Sequence, residues 1–460
     1  MASFEVRRLR MTQLHTTQDV RRAIWKLALP AMLEFGLMVL VQMIDMIQVG
    51  VLGPWAIAAT GLAAQPMMLI FSVFSALVVG TTALVARAAG AGDREYASKV
   101  TRQSFIIVLI LGVIVTAIGI PVSGIIIRLM GAQPDTLGPG TIYMQIVMAG
   151  TIFTVGNMVL AAALRGAGDM ITPMISNMVA NVVNLFGNWV LINGKLGFPR
   201  LEVAGAALAT SISRLVAFLI TFDAVYRRNK FISISIHDSY KLDLNIIKDV
   251  LNIGIPTAVE QVIVRGGALL FARLIAGYGT VMFAAHQVAI HIESLTLVPV
   301  IAFQMATTTL VGQSLGAKDP DLSEKVTNQS ILVSVCSMIL IGVLFFTYGK
   351  YAIGLFTTDV QVVELTETAI RILAFSLPFS AVYHMLMGTL RGAGDTRYAM
   401  YVSTIGTWCV RLVVGYLLAD VLGMAIIGAW IAVVLDTVVR MFLGLKRFLS
   451  GEWKTVLEPA

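Results

Sequence analysis

Twelve long apolar runs, separated by short polar stretches, set the plan of this 460-residue chain. Residues 28–52, 57–86, 104–127, 141–163, 171–194 and 203–225 form a first set. Residues 247–277, 281–312, 328–349, 366–390, 398–421 and 426–445 form a second. Each is long enough to cross about 30 Å of hydrocarbon as a helix. None shows the alternation over segments of about ten residues that a membrane β-barrel needs. An even number of spans per set brings both sets into the membrane from the same side. The pattern predicts an all-α integral membrane protein of twelve transmembrane helices in two parallel six-helix repeats.

The repeat is also legible residue by residue. Leu-Arg-Gly-Ala-Gly-Asp occurs at Leu164–Asp169 and again at Leu390–Asp395, an offset of 226. That offset also pairs Pro30 with Pro256, Glu34 with Glu260, Gly53 with Gly279, Thr81-Thr82 with Thr307-Thr308, and Gln103 with Gln329. A series holding one offset from residue 30 to residue 169 marks an internal duplication. The expected division is a tail at 1–21, a lobe at 22–226, a linker at 227–245, a second lobe at 246–447 and a tail at 448–460. Residues 242–250 look amphipathic, and read either as a helix on the membrane surface or as plain linker.

Composition supports the membrane reading: 57% of the residues are hydrophobic and 13% charged, about half the charge of a soluble domain. The net charge of +7 is placed by topology. Twenty-three lysines and arginines fall in the N-terminal tail, alternate loops and C-terminal tail, against five in the opposite loops. Under the positive-inside rule both termini are cytoplasmic, in a plasma (inner) membrane. No nucleic-acid footprint is needed, and none is expected. Cys336 and Cys409 lie inside apolar spans and read as small core residues. Ala-Gly-Ala-Gly-Asp at 89–93 lacks the Lys-Ser/Thr of a phosphate loop and follows no strand. Its glycines, like those of the repeated hexamer, fit helix ends, and the aspartates fit the caps of the helices that follow.

Ionisable groups inside the spans are few, and each costs about 2.5–3.5 kcal/mol at a helix centre. They include Glu34, Asp45, Arg214, Glu260, Arg265, Arg273, Glu293, Arg411 and Asp436. Asp45 stands out because its repeat mate is Phe271, so the duplication has not kept an acid there. Asn184 and Asn188 lie one turn apart on one face of the fifth span. With Asp45 they offer oxygens for a sodium ion, or a hydrogen-bonded setting for a proton. Glu34 lies on nearly the same face as Asp45, roughly 16 Å along the helix. Glu34 and Glu260 read as a second cation or proton site, or as structural partners of Arg265 or Arg273. Met32, Met38, Met43, Met46, Met67 and Met68 read as core packing, with an adaptable binding surface as the alternative.

The chain resembles the multidrug and toxic compound extrusion (MATE) transporters. The resemblance rests on Pro30, on Asp45 followed by Val49–Gly53, on Leu164–Asp169 with its repeat, on Ile292–Leu295 and on Thr308–Ala317. It implies two six-helix lobes around a V-shaped cleft, exporting organic, mostly cationic, compounds in exchange for H⁺ or Na⁺. Carried onto this sequence, the ion-coupling residues are Asp45, Asn184, Asn188 and Thr210. The acid of the seventh span falls on Glu260. Asn188 stands where some members have an aspartate, which leaves the coupling ion open between H⁺ and Na⁺. Ser376–Met387 lacks the carboxylate some members have there, and holds Tyr383 and His384 instead. Glu34, Glu260, Gln42, Tyr383 and His384 are the candidates for the substrate or second cation site. No cofactor is expected, and no metal beyond sodium at Asp45. The expected partners are small organic cations and membrane lipid, with the chain acting as a monomer. The alternative is a lipid-linked precursor flippase of a related two-lobed fold, resting on Arg265, Arg273 and Arg411. An enzyme would need a nucleophile-base or metal constellation, which the sequence does not offer.

Overall fold

The computed structural model describes residues 16–228, 231–235, 240–357 and 359–457. Among these residues the regular structure is helical. The first half holds α1 (Thr17–Gly50), α2 (Pro54–Ala91), α3 (Arg94–Leu129), α4 (Pro134–Ala149), α5 (Thr151–Gly166), α6 (Ile171–Asn193) and α7 (Glu202–Asp223). The second holds α8 (Leu244–Ala276), α9 (Thr280–Gly316), α10 (Pro320–Ile353), α11 (Val360–Ala393), α12 (Thr396–Thr404), α13 (Val413–Tyr416) and α14 (Ala425–Ser450). π-helical turns at Ile405–Leu412 and Leu417–Val421 join α12, α13 and their continuation into one run.

Ten of these helices and runs are long and apolar enough to cross a membrane, and an eleventh forms if α4 and α5 count as one span. α8 has the length, but Lys248, Asp249, Glu260, Arg265 and Arg273 dilute its apolar run. α4 and α5 meet at a 45° bend. Gly150 sits at the joint, where a Cβ would lie 2.7 Å from Ser211 Oγ on α7. The outward faces are apolar: Ile110, Ile114, Ile118 and Ile125 are exposed along α3. Soluble proteins seldom expose such a stripe, and a lipid-facing surface requires one. The chain is an integral membrane protein.

Two compact units emerge. One comprises Leu33–Gly254; the other comprises the described residues up to Met32 together with those from Ile255 onward. Each boundary falls inside a helix, close to the repeat-mate prolines Pro30 and Pro256. The first part of α8 therefore packs in the first unit, backbone against backbone on α2. A Cβ on Gly254 would lie 2.0 Å from the Ala76 carbonyl oxygen, and one on Gly80 would lie 2.2 Å from that of Val250. Val250 is fully buried there, while Leu242 and Leu244 are exposed. Correspondingly, the first part of α1 packs in the second unit, with Trp25 edge-on to Phe303 at 5.1 Å.

Repeat-mate polar residues do matching work in the two units. Gln103 Nε2 donates to the Lys241 carbonyl at 2.7 Å, and its Oε1 accepts from the Asp243 amide at 3.2 Å. Gln329 Oε1 accepts from Arg21 Nε at 2.7 Å. The two glutamines thus hold the entries to α8 and α1. Thr82 donates to the Ala162 carbonyl at 3.3 Å, and Thr308 to that of Gly388 at 3.0 Å.

Two burial expectations are corrected. Cys336 and Cys409 are exposed rather than in the core. Of the six methionines, Met67 alone is buried and Met32 is half-buried; Met38, Met43, Met46 and Met68 are exposed. An apolar residue in a membrane span has no need to point inward, so hydrophobicity does not predict burial there.

Candidate functional site

Asp45 lies in the later part of α1, in the first unit, and meets α6 there. Asn188 Nδ2 donates to Asp45 Oδ1 at 2.8 Å. The Asn184 amide, turned so that its nitrogen faces the acid, donates to Asp45 Oδ1 and Oδ2 at 2.9 and 3.0 Å. That orientation puts its oxygen where the Thr210 hydroxyl of α7 can donate to it. One helical turn separates Asn184 from Asn188, which is why both amides reach one carboxylate. Asn184 and Asn188 are buried, while Asp45 is half-buried. Among the described residues, Asn188 Oδ1 is buried without a hydrogen-bond partner. The four residues expected to meet here do so.

Two further groups surround the acid. Arg214 of α7 and Tyr143 of α4 are close enough to interact electrostatically with Asp45. Arg214 was visible in sequence as a charge inside a span; Tyr143 carried no comparable signal. Gln42, a candidate from sequence, is exposed and is not among the groups that meet Asp45. Gln48 reaches α6 instead, donating to the Leu185 carbonyl at 3.4 Å.

Glu34 and Glu260 are buried in their own units and held in the same way. Arg165 Nη2 donates to Glu34 Oε1 at 2.5 Å, and Asn177 Nδ2 to the same oxygen at 2.6 Å. Arg391 Nη2 reaches Glu260 Oε1 and Oε2 at 3.0 and 3.1 Å, while Ser403 Oγ donates to Oε1 at 2.6 Å. The partners are therefore not Arg265 or Arg273, which are exposed on α8. They are the arginines of the repeated Leu-Arg-Gly-Ala-Gly-Asp string. That string ends a helix with a left-handed glycine, Gly168 at φ 88° and Gly394 at φ 86°, and it also supplies the guanidinium. The signal lay in the spacing: the glutamate and arginine are 131 residues apart in both halves.

Removing one partner of a buried pair strands the other charge, at about 3–5 kcal/mol. Arg165→Ala is expected to lower stability by about that amount, with Arg165→Lys falling between. Thermal unfolding of the purified variants in detergent measures both.

In the second unit the polar chain continues beyond Glu260. Tyr383 Oη and Ser403 Oγ are 3.1 Å apart, and Arg440 Nη2 donates to Thr407 Oγ1 at 2.9 Å. Asp436, fully buried, accepts from Arg440 Nη2 at 2.7 Å and pairs with Arg411 Nε at 2.8 Å. Arg440 Nε also donates to Asp436. Gly406, in the first π-helical segment, makes room, since a Cβ there would lie 2.2 Å from both Arg440 Nε and Asp436 Oδ1. Arg440 escaped the sequence reading, although its place four residues after Asp436 on one helix was a signal. Of the second-site candidates in this unit, Tyr383 joins the Glu260 chain. His384 lies beside the Tyr383 ring, at 5.0 Å between centroids.

The duplication has a counterpart among known proteins. The MatE family model matches residues 30–190 and again residues 256–417, two matches that start 226 residues apart, as the repeat does. The chain belongs to the MATE family. It is 31% identical to the probable multidrug resistance protein NorM of Thermotoga maritima, over 95% of this chain and 94% of that protein. It is 25% identical to the uncharacterized transporter YisQ of Bacillus subtilis, covering 96% and 97%. Among solved structures, a MATE in complex with MaD3S is 26% identical with a TM-score of 0.86, covering 94% and 95%. An outward-facing multidrug resistance MATE transporter gives 25% and 0.88, covering 94% and 97%. Members of the MATE family are transporters.

Proposed function

We propose that this MATE protein is an antiporter that exports organic, mostly cationic, compounds across the plasma membrane in exchange for H⁺ or Na⁺. In this reading twelve helices form two parallel six-helix lobes around a V-shaped cleft, and both termini are cytoplasmic. The chain works as a monomer in the lipid, without a cofactor. The observation that carries it is the Asp45 cage: one carboxylate met by two buried carboxamides on α6, with Thr210 beside them.

A carboxamide presents either its N–H or its oxygen. With the acid charged and the site empty, Asn184 and Asn188 turn their nitrogens to Asp45. When Na⁺ enters, a turn of the same amides supplies carbonyl oxygens alongside the carboxylate, and the buried Asn188 Oδ1 is already free of other bonds. When H⁺ enters, the carboxyl donates to one of those oxygens. Either ion neutralises Asp45 and weakens the hold on a cationic cargo. A membrane potential of 100 mV contributes about 2.3 kcal/mol per charge moved.

The test is efflux of ethidium from proteoliposomes under an imposed pH gradient or an imposed sodium gradient. Efflux driven by one of these and absent without a gradient is expected. Equal efflux with neither would overturn the antiport reading. A flippase for lipid-linked precursors is the second reading, favoured by Arg265 and Arg273 exposed two turns apart on α8. Translocation of a labelled pyrophosphate-linked lipid, without ethidium efflux, would decide for it.

A further inference from the structure

The second unit contains a membrane-embedded acid, Glu293, that belongs to neither the Glu260 nor the Asp436 cluster. Glu293 lies on α9, in the inward stripe formed by His286, Ala289, Ile292, Thr296 and Val300. It is half-buried, and its carboxylate has no hydrogen bond or ion pair among the described residues. The charges that act on it are Arg411 and Asp436. His286, two turns earlier on α9, packs against the Trp430 ring at 5.2 Å and also feels Arg411.

The distribution of partners here is lopsided. Asp436 has two guanidiniums: Arg440, which grips both its oxygens, and Arg411, which pairs with one of them at 2.8 Å. Glu293 has neither. Arg411 can leave Asp436 without stranding it, because Arg440 stays. Its side chain keeps about a quarter of its exposure while Asp436 has none, so Arg411 is the less tightly packed member of the pair. It also rises from a π-helical turn, Ile405–Leu412, a local irregularity that often marks functional sites.

We infer that Glu293 is a cation subsite of the second unit, and that Arg411 is a tethered cation that competes with the cargo for it. With both acids charged, the four groups Glu293, Asp436, Arg411 and Arg440 sum to zero. A monovalent organic cation binds at Glu293 while Arg411 is parked on Asp436; a swing of Arg411 to Glu293 displaces it. Arg411 is thus a positioning residue, acting on cargo through Glu293. Such an exchange lets the site release a cation without first meeting an ion from solution. The inference rests on the reading of this protein as an exporter of organic cations.

The test is equilibrium binding of tetraphenylphosphonium to the purified full-length protein at mildly alkaline pH, without any ion gradient. Glu293→Gln is expected to raise Kd by roughly fivefold or more, within the usual range of coupling between sites. Arg411→Ala should lower Kd by a similar factor, and Arg411→Lys, which keeps the charge, should leave it near that of the unmutated protein. Arg411→Ala should no longer tighten binding once Glu293 is Gln, a dependence that general loosening of the structure does not produce. Tightening by the same factor with or without Glu293 would overturn the inference. So would an unchanged Kd in Glu293→Gln, which removes no hydrogen bond and does not depend on recovering the arginine variants. Failure of the unmutated protein to bind tetraphenylphosphonium would overturn both this inference and the organic-cation reading. Binding with no Glu293–Arg411 coupling would overturn this inference alone.

Discussion

Asp45→Asn is expected to reduce ion-driven efflux to the level of protein-free vesicles while leaving the protein folded. The substitution is nearly isosteric, and the new amide oxygen can still accept from Asn188 Nδ2, which reaches the native acid at 2.8 Å. What disappears is the charge. An amide takes up no proton in the working range and offers Na⁺ no counter-charge, while Arg214 remains nearby. Moving a two-state transporter from 1:99 to 99:1 takes about 5.5 kcal/mol of differential binding. A site that binds the coupling ion equally poorly in both states supplies none of it. Purified Asp45→Asn should elute and melt like the unmutated protein while ethidium efflux in proteoliposomes is lost. Loss of folding together with transport would instead make Asp45 a structural residue.

Asp436→Ala is expected to have the largest effect on stability. Asp436 is fully buried and lies between Arg440 and Arg411, with Gly406 shaped around it. Stranding one buried charge costs about 3–5 kcal/mol, and this substitution leaves two guanidiniums without their carboxylate. The loss should exceed that of Arg165→Ala, which strands a single carboxylate. Thermal unfolding in detergent should place Asp436→Ala lowest, or the protein should fail to accumulate. Adding Arg440→Met should recover part of the loss, because Arg411 still has Glu293 to turn to. A melting temperature for Asp436→Ala at or above that of Arg165→Ala would contradict the assignment.

Much of this was legible in the chain because membrane helices announce themselves by length and apolarity. The residues that meet at Asp45 follow from helical spacing: Asn184 and Asn188 share a face, and the family resemblance supplied Thr210. The partners of Glu34 and Glu260 are not legible locally, because contacts between helices leave no local trace. Arg265 and Arg273 were near in sequence, while the actual partners lie 131 residues away. The repeated hexamer looked like a turn marker because its glycines explain themselves; its arginine carries the added meaning. The apolar pattern alone starts α8 beyond a linker at 227–245. Only the close approach of Gly254 and Gly80 to opposing backbone shows that its first turns pack in the first unit. Burial was least legible, as Cys336, Cys409 and the α1 methionines show, since lipid accepts what water rejects.

In the proposed cycle one acid, Asp45, exchanges the coupling ion for cargo. Adding tetraphenylphosphonium to purified protein in weakly buffered solution and recording the H⁺ and Na⁺ released measures that exchange. The unmutated protein is predicted to release one of these ions on binding the cation, and Asp45→Asn to release neither. Equal release from both proteins would contradict the claim.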